Sequence, residues 1–468
     1  MRRAKIVCTI GPSTADNKTI ADLIEAGVDV FRINFSHGDR RGHEEHIARV
    51  RNTARRLGKV VALLQDLPGP KIRVGRIGSG AVTLEKGRSF ALTSRNVVGD
   101  RNRVSVNHRG LTPSLRKGDT VYLADGIIEL EVKSVSENGA LCTVVSGGVL
   151  SSGKGVNVPG TKLRLVYPTA QDVEDIEFGL LEKVDFIALS FVRSASDIRA
   201  VRKVLRGGGH EMPLVAKIEK GEAVQNFQHI LEEADAVMVA RGDLGVEIPI
   251  EKVPSIQKEI IKKCNSAGKP VIVATQMLLS MMNSPSPTRA EVTDVSTAIL
   301  EGADALMLSD ETAVGRFPVE TVRMLDRIAR AAEESLTRLN PEDFGARVVG
   351  VEEAVAHAAC DLADYIGAAA ILAPTQSGLT AKRVAKYKPT APIVAMCTDD
   401  KVARNLKLHW GVIPVITKQV ATTEMLLEEA KVAAKRLGFA RRGARLVVTS
   451  GTAGVKGTSD LVKVVSIS

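Results

Sequence analysis

The residues of this chain that are best placed to do chemistry stand where apolar runs end. The segment FRINFSHG, residues 31–38, packs Arg32, Asn34, Ser36 and His37 into one such end. Similar ends recur at LLQD (63–66), AKIE (216–219), VARGD (239–243), VATQ (273–276) and MLSDE (307–311). Polar side chains at the carboxyl ends of buried parallel strands are typical of a barrel mouth, where these ends face a pocket. The repeated layout therefore predicts one shared site.

Charged residues at two of these ends predict a divalent-metal site. Lys217 and Glu219 are two apart on a strand, so their side chains point to the same side. Asp243 ends the next strand. A carboxylate pair on neighbouring strand ends suits Mg²⁺ or Mn²⁺, which take oxygen ligands. Lys217 beside the metal would stabilise a developing oxyanion. The alternative is an ion-pair network at the barrel rim.

Glycines and hydroxyls complete the candidate site. Gly242, beside Asp243, lets backbone N–H groups approach a carboxylate or a phosphate. Thr275 and Ser309 are hydroxyls at strand ends, where a proton can be relayed through water. Ordinary backbone capping is their alternative role. Lys154, in the loop SSGKGVN, is either a cation that closes over phosphates or a solvated lysine.

Composition narrows the class of protein. The net charge is +10, but aromatic residues make up 3% and no Lys/Arg block is sustained, so anionic substrates are favoured over nucleic acid. No window has the apolar length of a membrane helix. The apolar stretch after the basic N-terminus is short for a signal peptide, which predicts a cytoplasmic protein without a membrane partner. The five cysteines lack metal or redox spacing and are interpreted as reduced thiols.

The order of strand and helix patterns predicts an α/β protein built on a (β/α)8 TIM barrel. Three strand patterns before Gly69 and five after Pro168 supply the eight strands that such a barrel needs. We expect the barrel to comprise residues 1–70 and 167–338, with an inserted all-β lid domain, residues 71–166, after strand 3. Within the lid, the pattern of Thr120–Val132 predicts a hairpin around Asp125-Gly126. A linker at Leu339–Gly345 opens a C-terminal α/β domain, residues 339–468.

Taken together, these segments resemble the pyruvate kinase family along essentially the whole chain. The similar motifs are KIVCTIGPS, FRINFSHG, GPKIRVG, KGVNVPG, AKIEKGEAVQNF, VMVARGDLGVEIP, ATQML, PTRAEVTDV and DALMLSDETAVGRFP. The resemblance implies transfer of a phosphoryl group from phosphoenolpyruvate to ADP, giving ATP and pyruvate in glycolysis. It also implies a divalent cation, Mg²⁺ or Mn²⁺, and a homotetramer.

The resemblance further implies roles for individual residues. Lys217 would contact the phosphoryl group and the enolate oxygen, and Arg32, supported by Arg73, would clamp the phosphoryl oxygens. Glu219 and Asp243 would hold the divalent metal, and the backbone around Gly242 and Asp243 would hold the substrate carboxylate. Thr275 would lie where the enolate is protonated, and Ser309 would belong to the proton-supplying water network. The nucleotide would lie along Pro12, Asn34, His37, Arg73 and Lys154.

The chain departs from the family pattern at the monovalent-cation site. Many members have Glu where Lys71 stands and Thr-Lys where Leu67-Pro68 stands. The glutamate form needs K⁺, held at positions matching Asn34, Ser36, Asp66 and the Leu67 carbonyl. We expect the Lys71 ammonium to occupy that region, so that K⁺ is not required. A second departure is Val314, which replaces a lysine that is common in the family and so weakens any mechanism that uses that lysine as proton donor.

The C-terminal domain carries the family's effector segments only loosely. The turn before a predicted helix, comprising Thr375, Gln376, Ser377, Gly378 and Thr380, could cradle a phosphate. With the glycine-rich loop Ser450–Asp460 it predicts binding of a sugar phosphate or AMP; the alternative is an inactive remnant or plain helix caps. Two rival functions remain open for the whole chain: another Mg²⁺-dependent phosphoenolpyruvate or pyruvate barrel enzyme, such as a lyase or aldolase, and a basic non-catalytic regulatory protein.

Overall fold

The computed structural model describes residues 1–161, 163, 165–336, 350–420, 422–451 and 460–467. The expected linker Leu339–Gly345 lies outside the described residues, as do residues 452–459 of the glycine-rich loop. No helix of the described part of the chain is long and apolar enough to cross a membrane.

The chain begins with alternating buried strands and amphipathic helices. Asp16 caps the first helix by accepting the N–H groups of Lys18 and Thr19, and Asp39 caps the second by accepting the N–H of Gly42. These first elements are β1 (Lys5–Thr9), α1 (Asn17–Glu25), β2 (Val30–Asn34), α2 (Arg40–Arg56) and β3 (Ala62–Asp66). A 3₁₀ helix, Pro12–Thr14, follows β1.

Short strands with alternating burial follow. They are β4 (Ala81–Leu84), β5 (Ser89–Thr93), β6 (Arg103–Ser105), β7 (Thr120–Leu123), β8 (Ile128–Ser136), β9 (Gly139–Ser146), β10 (Gly148–Ser151) and β11 (Val156–Asn157), with one short helix, α3 (Leu111–Ser114). Six of these strands form one sheet, in the order β11-β7-β8-β9-β5-β6, and β10 pairs with β4. The expected hairpin is β7–β8. Its loop has four residues, Ala124 to Ile127, because Leu123 pairs with Ile128.

The β/α alternation then resumes. Its elements are α4 (Ala170–Leu181), β12 (Phe186–Leu189), α5 (Ala195–Gly207), β13 (Leu214–Ile218), α6 (Gly221–Gln225), α7 (Phe227–Glu233), β14 (Ala236–Ala240), α8 (Arg241–Glu247), α9 (Val253–Ala267), β15 (Val271–Ala274), α10 (Arg289–Leu300), β16 (Ala305–Leu308), α11 (Asp310–Ala313) and α12 (Pro318–Glu334). Two 3₁₀ helices, Ile250–Lys252 and Leu279–Met282, lie between them. Eight parallel strands close into a barrel in the order β1-β16-β15-β14-β13-β12-β3-β2, which confirms the predicted TIM barrel.

The alternation of side chains along the barrel strands creates an apolar floor below a polar layer. Val30, Leu64 and Val215 belong to one buried cluster with residues of the other barrel strands. Side chains two positions further along a strand point to the same side. The next inward positions on these three strands are therefore Arg32, Asp66 and Lys217, respectively.

The C-terminal domain is a separate α/β unit, as predicted. Its elements are α13 (Val351–Ile366), β17 (Ala370–Thr375), α14 (Leu379–Lys386), β18 (Ile393–Cys397), α15 (Asp400–Asn405), a 3₁₀ helix (Leu406–Leu408), β19 (Val412–Ile416), α16 (Thr423–Arg436), β20 (Arg445–Ser450) and β21 (Leu461–Ser466). The sheet order is β19-β18-β17-β20-β21, and only β21 is antiparallel to its neighbour. Leu408 packs with the apolar floor of the barrel.

The observed ends of two strands, β14 and β17, correct the expected positions of Asp243 and Thr375. Strand β14 stops at Ala240, so Asp243 lies in the first turn of α8 and not at a strand end. The physical reason is that Arg241 already adopts helical geometry and directs its side chain to Asp294. Strand β17 runs through Thr375, so this residue belongs to the strand rather than to the following turn.

Candidate active site

A buried ion-pair cluster lies at the carboxyl end of the barrel. Arg32 Nε donates to Asp66 Oδ2 at 2.6 Å, and Arg32 Nη1 donates to Thr9 Oγ1 at 3.1 Å. Lys217 Nζ lies 3.1 Å from Asp66 Oδ1. Strands β1, β2, β3 and β13 thus each contribute one side chain. One carboxylate holds two cations side by side, which is a suitable arrangement for binding an anionic group above them.

Lys217 is held by two further side chains. Its ammonium donates to Ser190 Oγ at 2.7 Å and lies 2.9 Å from Glu219 Oε1. Glu219 Oε2 accepts the N–H of Phe191 at 2.8 Å. The predicted common orientation of Lys217 and Glu219 is therefore observed. With three partners the ammonium has little rotational freedom, as precise charge placement requires.

The electrostatics of the cluster keep its charges in place. Burial opposes ionisation of Asp66, but the charges of Lys217 and Arg32 outweigh it and hold the pKa of Asp66 below its usual range. Burial also opposes protonation of Lys217, yet Asp66 and Glu219 raise its pKa above the usual lysine range. The ammonium is consequently charged at every physiological pH.

Glu219 and Asp243 are two carboxylates whose negative charges repel each other. Burial raises the pKa of Glu219, and the negative charge of Asp243 adds to that rise although Lys217 opposes it. The described residues contain no group of three or more His, Cys, Asp or Glu side chains suited to a metal. Two carboxylates fit Mg²⁺, which is usually bound by one or two carboxylates and takes waters and substrate oxygens as its other ligands. The donor set therefore fits the expected divalent cation.

Lys71 lies between the inserted β domain and the barrel. Its ammonium is 3.7 Å from Asp243 Oδ1 and 3.9 Å from Asp125 Oδ1 in the β7–β8 loop. Sequence reasoning placed this ammonium among Asn34, Ser36, Asp66 and the Leu67 carbonyl. That placement is corrected, because the Asp66 carboxylate is already bound by Arg32 and Lys217. Asn34 Oδ1 instead accepts the N–H of Ser36 at 3.1 Å.

Thr275 occupies a strained position directly after β15. Its φ is +74°, which is unfavourable for a β-branched residue. Residues with such backbone strain cluster at functional sites. Arg241 Nη2 donates to the Thr275 carbonyl at 2.7 Å and helps to hold this backbone. Thr275 Oγ1 accepts the N–H of Gly242 at 2.8 Å and donates to the Ala274 carbonyl at 2.6 Å. The Gly242 N–H that was expected to face a substrate carboxylate is thus bound to Thr275.

Ser309 is fixed by a buried carboxylate that sequence reasoning missed. Glu311 Oε2 accepts the Ser309 N–H at 2.7 Å, and Glu311 Oε1 accepts the Leu278 N–H at 3.2 Å. Burial raises the pKa of Glu311 against the effect of these N–H groups. Glu311 therefore ties the loop after β15 to the loop after β16, which carry Thr275 and Ser309.

In the described part of the chain, the side chains expected along a nucleotide do not contact the cluster of Arg32, Asp66 and Lys217. Pro12, His37 and Lys154 are exposed. Arg73 Nη1 donates to the carbonyl of Gly153 at 3.0 Å, so its side chain is bound to the inserted domain and not to the Arg32 cluster. Val314 is also exposed and offers no proton-transfer group.

The expected effector turn has the geometry of a helix start. Gly378 precedes α14 with a φ of +85°, and Gln376 and Ser377 are exposed, whereas Thr375 and Thr380 are buried. The second half of the expected site, at residues 452–459, lies outside the described residues.

Two further positions at the site were missed by sequence reasoning. Ser190 and Arg241 contact Lys217 and Thr275 respectively. Ser190 directly follows the buried strand β12, so the strand-end pattern that singled out the other ends would have found it. Arg241 stands in the strand end VARGD, but its contact with the Thr275 carbonyl depends on the turn into α8, which the sequence pattern does not show.

Comparison with known proteins gives the family. A sequence model described as "Pyruvate kinase, barrel domain" matches residues 1–322, and one described as "Pyruvate kinase, alpha/beta domain" matches residues 353–465. The chain is 45% identical to "Pyruvate kinase" of Geobacillus stearothermophilus, covering 100% of this chain and 81% of that protein. It is 44% identical to "Pyruvate kinase 2" of Synechocystis sp., covering 99% and 79%. It is 42% identical to "Pyruvate kinase" of Thermotoga maritima over the whole of both chains. The chain therefore belongs to the pyruvate kinase family.

Proposed function

We propose that the chain transfers the phosphoryl group of phosphoenolpyruvate to ADP, giving ATP and pyruvate. The observation that carries this proposal is the pairing of Arg32 and Lys217 on one buried carboxylate, Asp66, at the barrel mouth. Phosphoryl transfer requires cations around the equatorial oxygens and rigid positioning more than covalent catalysis. Both are features of this cluster.

Each residue of the candidate site has a separate role in this reaction. Arg32 binds phosphoryl oxygens while the bond between phosphorus and the enol oxygen breaks and an ADP oxygen attacks. Lys217 stabilises the negative charge left on the enolate oxygen, and its contacts with Ser190 and Glu219 keep it there. A divalent cation held by Glu219 and Asp243 would supply further positive charge at the transferring oxygens. Backbone N–H groups near Asp243 would bind the substrate carboxylate.

Protonation of the enolate carbon completes the reaction. We assign the delivery of this proton to water held near Thr275 and Ser309, because the exposed Val314 has no ionisable group. Glu311 keeps the two loops at a fixed separation. Arg73, with Pro12, Asn34, His37 and Lys154, would then contact the nucleotide when the lid closes over it.

We further propose that the enzyme does not require K⁺. The structure supports this by a different route from the one expected, because the Lys71 ammonium lies beside Asp243 rather than at the monovalent-site positions. The positive charge of Lys71 at the lid–barrel cleft would take over the electrostatic contribution of a bound monovalent cation.

One assay tests both parts. Pyruvate formation from phosphoenolpyruvate, ADP and Mg²⁺ is measured in K⁺-free buffer and again with added K⁺, for the wild type and for Lys71→Glu. We expect equal wild-type rates in the two buffers and a variant that gains activity when K⁺ is added. A wild type that is active only with K⁺ would refute K⁺ independence alone. No pyruvate in either buffer would refute the kinase assignment.

The domain division and its regulation are also proposals. We divide the chain into a barrel (1–70 and 167–338), a lid (71–166) and an effector domain (339–468), and we propose a homotetramer. The lid reaches the barrel through Asn157, whose Nδ2 donates to Glu247 Oε1 at 2.7 Å. The exposed turn before α14 supports binding of a sugar phosphate or AMP. If neither ligand shifts the phosphoenolpyruvate saturation curve, the effector proposal is wrong; sedimentation velocity tests the tetramer.

A further inference from the structure

Four barrel strands begin in the same way. An aspartate stands one residue before the strand and binds the adjacent strand twice. Its N–H donates to a backbone carbonyl there, and its Oδ2 accepts the N–H of that same residue. The pairs are Asp29 with Ile6, Asp185 with Leu63, Asp235 with Leu214 and Asp304 with Val271, at distances of 2.8 to 3.0 Å. Each carboxylate therefore extends the ladder between two strands and fixes where its strand begins.

Three of these aspartates also bind a cation from the C-terminal domain. Asp29, Asp185 and Asp304 are buried at the end of the barrel opposite the active site. Their Oδ1 atoms accept from Lys407 at 2.6 Å, Arg404 at 2.8 Å and Lys388 at 2.7 Å, in the same order.

The fourth aspartate takes its cation from the barrel itself and is exposed, with 45% of its side chain accessible, whereas the other three are buried. Asp235 pairs with Arg202, at 2.8 Å, and Arg202 belongs to α5 of the barrel itself. Among the described residues, Asp235 therefore has the same ladder contacts and an ion pair, but no cation of the C-terminal domain within ion-pair distance. It is a control for the ladder contacts and for the presence of an ion pair, but not for burial.

The three docked strands end at residues of the candidate active site. Strand β2 carries Arg32, β12 is followed by Ser190, and β16 is followed by Ser309. A strand advances about 3.3 Å per residue, so the steps of three residues from Asp29 to Arg32 and of five from Asp185 to Ser190 and from Asp304 to Ser309 cover about 10 to 17 Å. The strands lie in a closed, tightly packed barrel, so a displacement at one end of a strand is carried to the other.

We propose that Asp29, Asp185 and Asp304 are positioning residues through which the C-terminal domain sets the placement of Arg32, Ser190 and Ser309. Each of these carboxylates fixes where a strand begins. When its cation moves (Lys388, Arg404 or Lys407), the electrostatic force on the carboxylate changes. Because Ser190 holds Lys217, the coupling reaches the cluster that binds the phosphoryl group. The consequence for catalysis rests on the proposed kinase function, whereas the mechanical coupling does not.

The kinetic test compares two double variants, each of which replaces an aspartate by Asn and its cation by Met. Asp304→Asn/Lys388→Met removes a docking ion pair without leaving an unpaired buried charge, and the amide oxygen that replaces the carboxylate can still accept the Val271 N–H. Asp235→Asn/Arg202→Met makes the same two substitutions at the more exposed pair inside the barrel. We expect the first to change the half-saturating phosphoenolpyruvate concentration or kcat about fivefold or more, and the second to change both by less than about twofold, because an exposed ion pair contributes little. Equal effects of the two variants, or no effect of either, would overturn the proposal.

A second readout is independent of catalysis. Amide hydrogen–deuterium exchange is followed in peptides covering 186–190 and 305–311 of both variants and the wild type. Exchange at 305–311 should accelerate about fivefold or more in Asp304→Asn/Lys388→Met and stay at the wild-type rate in the control. If the wild type makes no pyruvate but this difference appears, the kinase assignment fails and the coupling stands. Unchanged exchange in the docking variant would refute the coupling whatever the activity.

Discussion

At the scale of single residues, the central feature of the candidate site is the Lys217 ammonium and the three side chains that hold it. Lys217 is bound by Asp66, Glu219 and Ser190, and these three contacts together set the direction of the ammonium. The same carboxylate that orients Lys217 also orients Arg32. Their two positive charges are therefore a single unit, built on Asp66.

Replacing the ammonium tests its role directly. Lys217→Met should reduce kcat by about 10²–10³-fold, as expected when a preorganised charge at a developing oxyanion is lost. Steady-state kinetics at saturating phosphoenolpyruvate measure this loss. Lys220→Met is the control, because Lys220 is on the same β13–α6 segment but pairs with Glu247. A Lys217→Met enzyme whose kcat equals that of the control would show that Lys217 is structural.

At the scale of elements, the connection from β3 to the lid fixes the position of Ser190. Gly69 has a φ of +61°, and a Cβ added there would lie 2.7 Å from the Ser190 carbonyl oxygen. Gly58, before β3, has the same φ of +61°, but a Cβ there would meet no atom within 4 Å. Alanine at Gly58 would therefore introduce backbone strain alone, whereas alanine at Gly69 would introduce the same strain and a steric clash.

We expect Gly58→Ala to destabilise by about 1–2 kcal/mol, the strain of a left-handed non-glycine residue, and to leave kcat unchanged. Gly69→Ala should destabilise more and lower kcat as well, because the displaced Ser190 no longer holds Lys217. Thermal unfolding and steady-state kinetics of the two variants measure both effects. Equal melting temperatures with equal kcat would show that the Gly69 contact relaxes without consequence.

The elements also show which parts of the site can be predicted from sequence. Buried strands that end in polar residues placed Arg32, Asp66, Lys217 and Glu219 at one mouth, because side-chain alternation and barrel closure leave no other arrangement. The position of Asp243 in α8 was missed, since nothing in VARGD marks where the strand gives way to helix. The direction of Lys71 was also missed, because it depends on how the inserted domain approaches the barrel.

At the scale of the whole molecule, the C-terminal domain closes the amino end of the barrel. Leu408 packs on the apolar floor and Trp410 joins the barrel core. Trp410 is the chain's single tryptophan, and the Lys388 ammonium lies 4.8 Å from the centre of its ring. Tryptophan fluorescence therefore reports on this contact, and the Lys388 variant proposed above should alter its emission.

Lys5, at the same interface between the barrel and the C-terminal domain, makes the stability of the protein depend on pH. Its Nζ donates to the Val412 carbonyl at 2.7 Å, and burial, with help from the charges of Lys407 and Arg2, lowers its pKa to about 7. In the unfolded chain the lysine pKa is about 10.4. Between these values the unfolded chain binds more protons, so the free energy of unfolding from this group rises as pH increases from about 7 to about 10.

Lys5→Met should remove this dependence. The lost hydrogen bond to Val412 shifts stability by the same amount at every pH, so the slope and not the absolute value carries the test. We expect the melting temperature of Lys5→Met relative to wild type to fall steadily from about pH 7 to about pH 9.5, because only the wild type gains stability over that range. Lys18→Met, at an exposed position on α1, should run parallel to wild type. If Lys5→Met also runs parallel, Lys5 is charged in the folded protein throughout, and the interface tolerates a buried ammonium beside Asp29.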